Sequence, residues 1–118
     1  EEGAVVALAC EVARTVLGRE AAATTEVLRD VTARALARVR RARTVALRVH
    51  PDDVEAARRE VGGWFPEGMR PEEVVVVGDD AVGRGGAVVE TERGRVDARL
   101  ERQLEEIARI LEGGRRVV

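Results

Sequence analysis

The acidic pairs Asp52-Asp53 and Asp79-Asp80, with His50 and Cys10, are the side chains of this sequence best suited to hold a metal. Structural zinc takes four Cys or His ligands at short, recognisable spacing. Here there is one of each, at positions 10 and 50. A calcium loop needs oxygen ligands at alternating positions and a distal glutamate, which GDDAVGRGG (78–86) lacks. The same glycines invite a phosphate, but phosphate-binding loops lead directly into a helix whose N–H groups face the anion. A strand-like run follows instead, the chain contains no lysine, and two aspartates would repel the ligand. Covalent catalysis fares no better. There is no serine, Cys10 falls on the apolar stripe of a helix, and a single histidine at a helix start supports no triad. The reading is of no catalytic residue, no cofactor and no metal, with His50 packing or capping where a strand enters a helix.

The whole chain narrows the classes further. Its 118 residues suit one domain with a modest core. Twenty Lys+Arg against 22 Asp+Glu leave a net charge of −2, so no global field points to nucleic acid or an anionic membrane. RVRRARTVALR (38–48) is the densest basic stretch, but no aromatic residue is interleaved with it, and it reads as a solvated helix end. Trp64 and Phe65 are the only aromatics, either a plug over the core or an exposed partner contact. One cysteine allows no internal disulfide and suits a reducing compartment. No apolar run approaches the ~20 residues of a membrane span. The start at Glu1-Glu2-Gly3, without Met, reads as a piece of a longer protein.

Periodicity places these residues on elements. Val5, Leu8, Ala9, Val12, Ala13, Val16 and Leu17 recur at helical spacing, with Gly18 as a stop. Thr24 or Thr25 opens a second helix carrying Val27, Leu28, Val31, Ala35, Leu36 and Val39. TVALRV (44–49) alternates as a strand, and HPDDVEAARREVGG (50–63) forms a third helix with Pro51 at its first position. EVVVV (73–77) has the continuous apolar look of a strand buried on both faces. Strand, helix and strand in that order imply a right-handed parallel crossover. Ala87–Thr91 then returns antiparallel as a hairpin partner, Glu92-Arg93-Gly94 turns, and Asp97 caps a last helix striped by Leu100, Leu104, Ile107 and Leu111. GGRRVV (113–118) reads as a frayed end. The expected fold is α+β (α/β): two N-terminal helices, a small mixed three-stranded sheet with a β-α-β crossover and a hairpin, and a C-terminal helix.

The segment GGAVVETERGRVDARLERQLEEIARIL (85–111) resembles the C-terminal signature of the FliH family and its injectisome relatives, the type III secretion stator proteins. That pattern runs glycine pair, strand ending in Glu-Thr, glycine turn, Ile/Val-Asp-Ala, then a Leu-x-x-Gln-Leu helix. Gly85, Gly86, Glu90, Thr91, Gly94, Val96, Asp97, Ala98, Leu100, Gln103 and Leu104 match it. ALACEVARTVLGRE, VALRVHPDDVE and VVVVGDDAV are similar to earlier parts of the same domain, so the resemblance covers essentially all of residues 1–118 in order. Ala87 stands where the family often has Cys. The peripheral-stalk protein of the V/A-type rotary ATPases is similar more distantly, usually with extra residues before the acid, which GRVDARL lacks.

The resemblance implies a C-terminal ATPase-binding domain without catalysis, its upstream helical stalk absent. It implies a stator and regulator that binds the N-terminal helix of the secretion ATPase, on the cytoplasmic side of the membrane-associated export apparatus. Cytoplasmic-ring proteins would be reached through the missing N-terminal part, with a homodimer in the full-length protein, no nucleic acid and no membrane insertion. Gly85, Gly86, Glu90, Thr91, Gly94, Asp97, Leu100, Gln103 and Leu104 are then structural or docking residues: Gly86 for close backbone approach, Gly94 for a tight turn, Asp97 as a cap. Thr91 and Gln103 would tie the turn to the helix or face a partner. A peripheral-stalk domain of a V/A-type ATPase and, from another class, a small nucleotide- or metal-dependent enzyme are the alternatives.

Overall fold

Thr44–Val49 (β1) sends Val45, Leu47 and Val49 to one side, and all three are fully buried, which is the alternation of a strand with one face on a core. In the computed structural model, which describes residues 2–116 and the side chains of 4–111, β1 is central in a four-stranded sheet. The others are β2 (Glu73–Gly78), β3 (Ala87–Thr91) and β4 (Gly94–Ala98), in the order β2-β1-β3-β4. β1 and β2 are parallel, joined through a turn at Pro51–Asp53, helix α3 (Val54–Glu60; numbered third in the chain) and a turn at Val61–Gly63. The parallel pairing is the one expected from the strand-helix-strand order.

Two expectations about the sheet need correction. β3 is antiparallel, but it pairs with β1 rather than with β2, so residues 79–86 cross β1 before the chain re-enters the sheet. A fourth strand follows the Glu92-Arg93 turn, and Asp97 lies in it rather than capping a helix. Thr91↔Gly94 closes a two-residue hairpin, and Gly94 has φ +140°, which favours glycine. β2 is consequently an edge strand and not buried on both faces. Val76 is buried against the α3 side while Val75 and Val77 face outward and are exposed.

α2 (Glu26–Ala37) and α3 cover one sheet face and bury Leu28, Val31, Ala35, Leu36 and Ala57 against Val45, Leu47, Val49, Val76 and Val89. Trp64 is buried in this core and Phe65 packs partly buried against it, which settles them as a plug. Thr24 rather than Thr25 serves the start of α2, its hydroxyl accepting the Glu26 N–H at 3.2 Å. His50 Nδ1 accepts the Asp52 N–H at 3.0 Å and so caps the turn after β1.

α1 (Glu2–Ala23) runs through Gly18 instead of stopping there. One interior glycine costs about 1 kcal/mol relative to alanine. The helix-forming run Arg19-Glu20-Ala21-Ala22-Ala23 and the packing of Ala21 offset it. α4 (Leu100–Arg116) likewise continues through Gly113-Gly114 rather than fraying there, while Val117 and Val118 lie outside the described residues. No described helix is long and apolar enough to cross a membrane.

Candidate docking surface

The motif residues converge on the β3–β4–α4 unit. Gly85 and Gly86 lie where the crossing loop meets the helices. Gly85 has φ +79°, and a Cβ there would stand 2.6 Å from Ala21 Cβ of α1. A Cβ on Gly86 would stand 3.2 Å from the Arg99 backbone at the entry to α4. The glycine pair therefore lets the loop press between α1 and α4. Its other anchor is Asp53, a buried carboxylate that accepts from Arg84 Nε at 2.8 Å and from the Gly85 N–H at 2.9 Å. In the sequence Asp53 is only a first-turn acid; nothing there reveals that residue 84 folds back onto it.

The remaining motif side chains brace this unit. The Thr91 hydroxyl accepts the Arg93 N–H at 3.0 Å and donates to the Gly94 carbonyl at 2.9 Å, clasping the hairpin turn. Glu92, in that turn, accepts from the N–H groups of Arg43 and Thr44 and from the Thr44 hydroxyl at the entry to β1. The Thr44 and Arg43 backbone donors hold the Glu92 carboxyl down at about 2. Glu90 takes Arg48 Nε at 2.6 Å, and Arg48 also reaches Asp79 at 3.6 Å. Glu90 is the main reason the Arg48 guanidinium is raised.

Asp97 sits two residues ahead of the Arg99–Leu100 helix entry and accepts from the Arg99 N–H at 3.2 Å and from its guanidinium at 2.9 Å. Arg99 holds the Asp97 carboxyl below its ordinary range, against a smaller opposing effect of burial. Gln103 Nε2 donates to the Ala98 carbonyl at 3.0 Å, tying the first turn of α4 to the end of β4. Leu104 is buried and Leu100 partly so. None of these contacts leaves an activated nucleophile. Among the described residues no three His, Cys, Asp or Glu side chains converge as metal ligands.

The surface with capacity for a partner lies on α1 and α4, which pack on each other, with Cys10 Sγ 3.8 Å from the Leu104 carbonyl. Val6, Cys10, Ala13, Leu17 and Ala21 face inward. Val5, Leu8, Val12 and Val16 form a second row, roughly 140° round the helix at 100° per residue, and all are more than half exposed. The apolar positions expected at helical spacing thus divide between a covered row and an exposed one. On α4 the stripe keeps its direction, but its cover ends after Leu104, so Ile107 and Leu111 are about half exposed and Ile110 more so (67%). The signal is present in the sequence as apolar residues on two faces of the first helix. Exposed aliphatic side chains concentrated this way make α1 and α4 the candidate interaction surface.

The family model of the flagellar assembly protein FliH matches residues 2–107. The chain belongs to the FliH family. It is 27% identical over 105 residues to the flagellar assembly protein FliH of Borreliella burgdorferi, covering 89% of this chain and 34% of that protein. It is 30% identical over 92 residues to the type 3 secretion system stator protein of Yersinia pestis, covering 78% of this chain and 40% of the relative. The same figures hold for the stator protein of Yersinia pseudotuberculosis. The FliH-family segment thus spans about a third to two fifths of the curated relatives it matches.

Proposed function

We propose that this FliH-family domain is a non-catalytic peripheral stator and regulator of a type III secretion ATPase. It works at the cytoplasmic side of the export apparatus, and its docking surface is the α1/α4 face. The observation that carries the reading is the pair of uncovered aliphatic rows, Val5–Leu8–Val12–Val16 and Ile107–Ile110–Leu111, in a chain of this family. An amphipathic helix from the N-terminal region of the ATPase fits such a surface, anchored by apolar residues at i, i+3, i+4 and i+7. Segments beyond this one then link the ATPase to the cytoplasmic ring and pair two copies of the full-length protein. The motif residues serve this surface by fixing α4 on the sheet rather than by touching the partner.

Calorimetric titration of the cognate ATPase's N-terminal peptide into the folded domain tests the reading. Saturable heat, lost when Leu8 and Ile110 are replaced by serine, is the expected result. A folded sample that gives no heat and does not compete with the intact protein for the ATPase overturns it.

A further inference from the structure

β4 is the second free edge of the sheet, and a groove runs beside it. Two adjoining clefts, of about 480 and 140 Å³, share Arg38, Val96, Asp97 and Gln103 as walls. The narrower has an apolar floor of Val31, Ala35, Val96 and Ala98, supplied by α2 and β4. The wider is rimmed by Arg38 from the end of α2, Arg95 from β4 and Arg102 from α4. None of these three arginines has a carboxylate within 4 Å among the described residues. Of the two acids in the wall, Asp97 is held mainly by Arg99 at 2.9 Å with a weaker attraction to Arg95, and Glu106 lies 3.6 Å from Arg109. The groove therefore carries an excess of positive charge, Arg38, Arg95 and Arg102 against two acids already paired with Arg99 and Arg109, in a chain whose net charge is −2.

Arginines beside a sheet edge commonly guard it against pairing with other chains. A guard needs no cleft and no apolar floor. Here guanidiniums from three separate elements meet around a trough with both, and β4 leaves every second N–H and C=O unpaired on its outer side. We infer that the β4 edge receives an extended acidic segment of a partner protein. The segment adds as a fifth strand, its carboxylates on the face that Arg95 shares and its small apolar side chains on the other face toward Val96 and Ala98, with Arg38 and Arg102 at the rim of the groove. Backbone pairing supplies affinity and alternate side chains supply selectivity, the division of labour in strand addition. Single-stranded nucleic acid fits less well, since the groove offers no aromatic platform for bases. The inference is independent of the helix-docking reading, which concerns α1 and the outer half of α4.

Fluorescence anisotropy with a labelled peptide of alternating glutamate and valine, titrated with the folded domain at low salt, is the test. Saturable binding is expected, weakened about tenfold by Arg38→Glu and by Arg95→Glu, one such factor being about 1.4 kcal/mol. A proline at the peptide's centre should abolish it by removing a strand donor. Both arginines are exposed, and near-wild-type melting of each variant confirms that the fold is intact. Absence of saturable binding overturns the proposal, as does equal affinity for polyglutamate. So does arginine-dependent binding of oligothymidylate instead of the peptide. Concentration-dependent self-association that appears on Arg95→Ser, without peptide binding by the wild type, identifies the arginines as guards and also overturns it.

Discussion

Single side chains hold the places where the sheet meets its loops, and two of them make sharp demands. Asp53 is the one buried carboxylate among the described residues, satisfied by the Arg84 guanidinium and the Gly85 N–H. Asp53→Ala strands both donors and should cost about 2–4 kcal/mol in denaturant melts. A loss under half a kcal/mol would show that residues 84–85 are held by the glycine contacts alone. Glu92 is solvent-exposed, yet its carboxyl is lowered from 4.5 to about 2 by backbone donors at the start of β1. A group depressed on folding stabilises above its unfolded pKa and loses that effect as pH falls through the folded one. The stability of the native chain should therefore decline between about pH 4.5 and 2. In Glu92→Gln that decline should be shallower, which thermal melts across the window will measure. Identical slopes would mean the turn does not hold β1 in solution.

At the scale of elements, the decisive junction is the entry from β4 into α4. Asp97 is not a helix cap in the usual sense; it fixes Arg99 from the strand, while Gln103 returns from the first helical turn to the Ala98 carbonyl. The expected cost of Asp97→Ala is about 1.5–3 kcal/mol, the worth of hydrogen bonds to a charged group. Amide exchange should show the loss concentrated in residues 99–104. An equal loss spread over β1 and α2 would instead place Asp97 in the global core. The DARLERQL sequence shows an acid before a helix clearly enough, but the five-residue strand in GRVDA is hidden. Arg95 and Asp97 face away from the core, and a strand with one solvated face reads like a charged turn unless its partner is known.

For the molecule as a whole, the buried core and the exposed aliphatic rows proposed for docking are different side chains. The described residues span 50 × 31 × 23 Å, and α1 with α4 carries seven of the nine exposed large hydrophobics. Leu8→Ser with Ile110→Ser should change unfolding free energy by no more than about 0.5 kcal/mol per site, as for surface positions generally. The same pair should abolish binding of the ATPase peptide. A large drop in the melting midpoint would assign these rows to the core of this domain, and the docking surface would have to lie elsewhere.

Local chemistry by itself determined where the helices lie, though not where the first and last end, and the parallel crossover, while the motif's resemblance to a known family pointed to FliH. Alternation at Val45, Leu47 and Val49, Pro51 at a helix start, and the Gly85-to-Leu104 motif are all readable within a few residues. Only the tertiary structure decided that β3 joins β1 instead of β2, because pairing across residues 79–86 depends on where Asp53 and the glycines seat the loop. That one choice makes β2 and β4 the free edges and turns an all-valine run into a half-exposed strand. It is also tertiary packing that covers one apolar row of α1 and leaves its twin bare, since periodicity reports that a face is apolar and not what, if anything, lies against it.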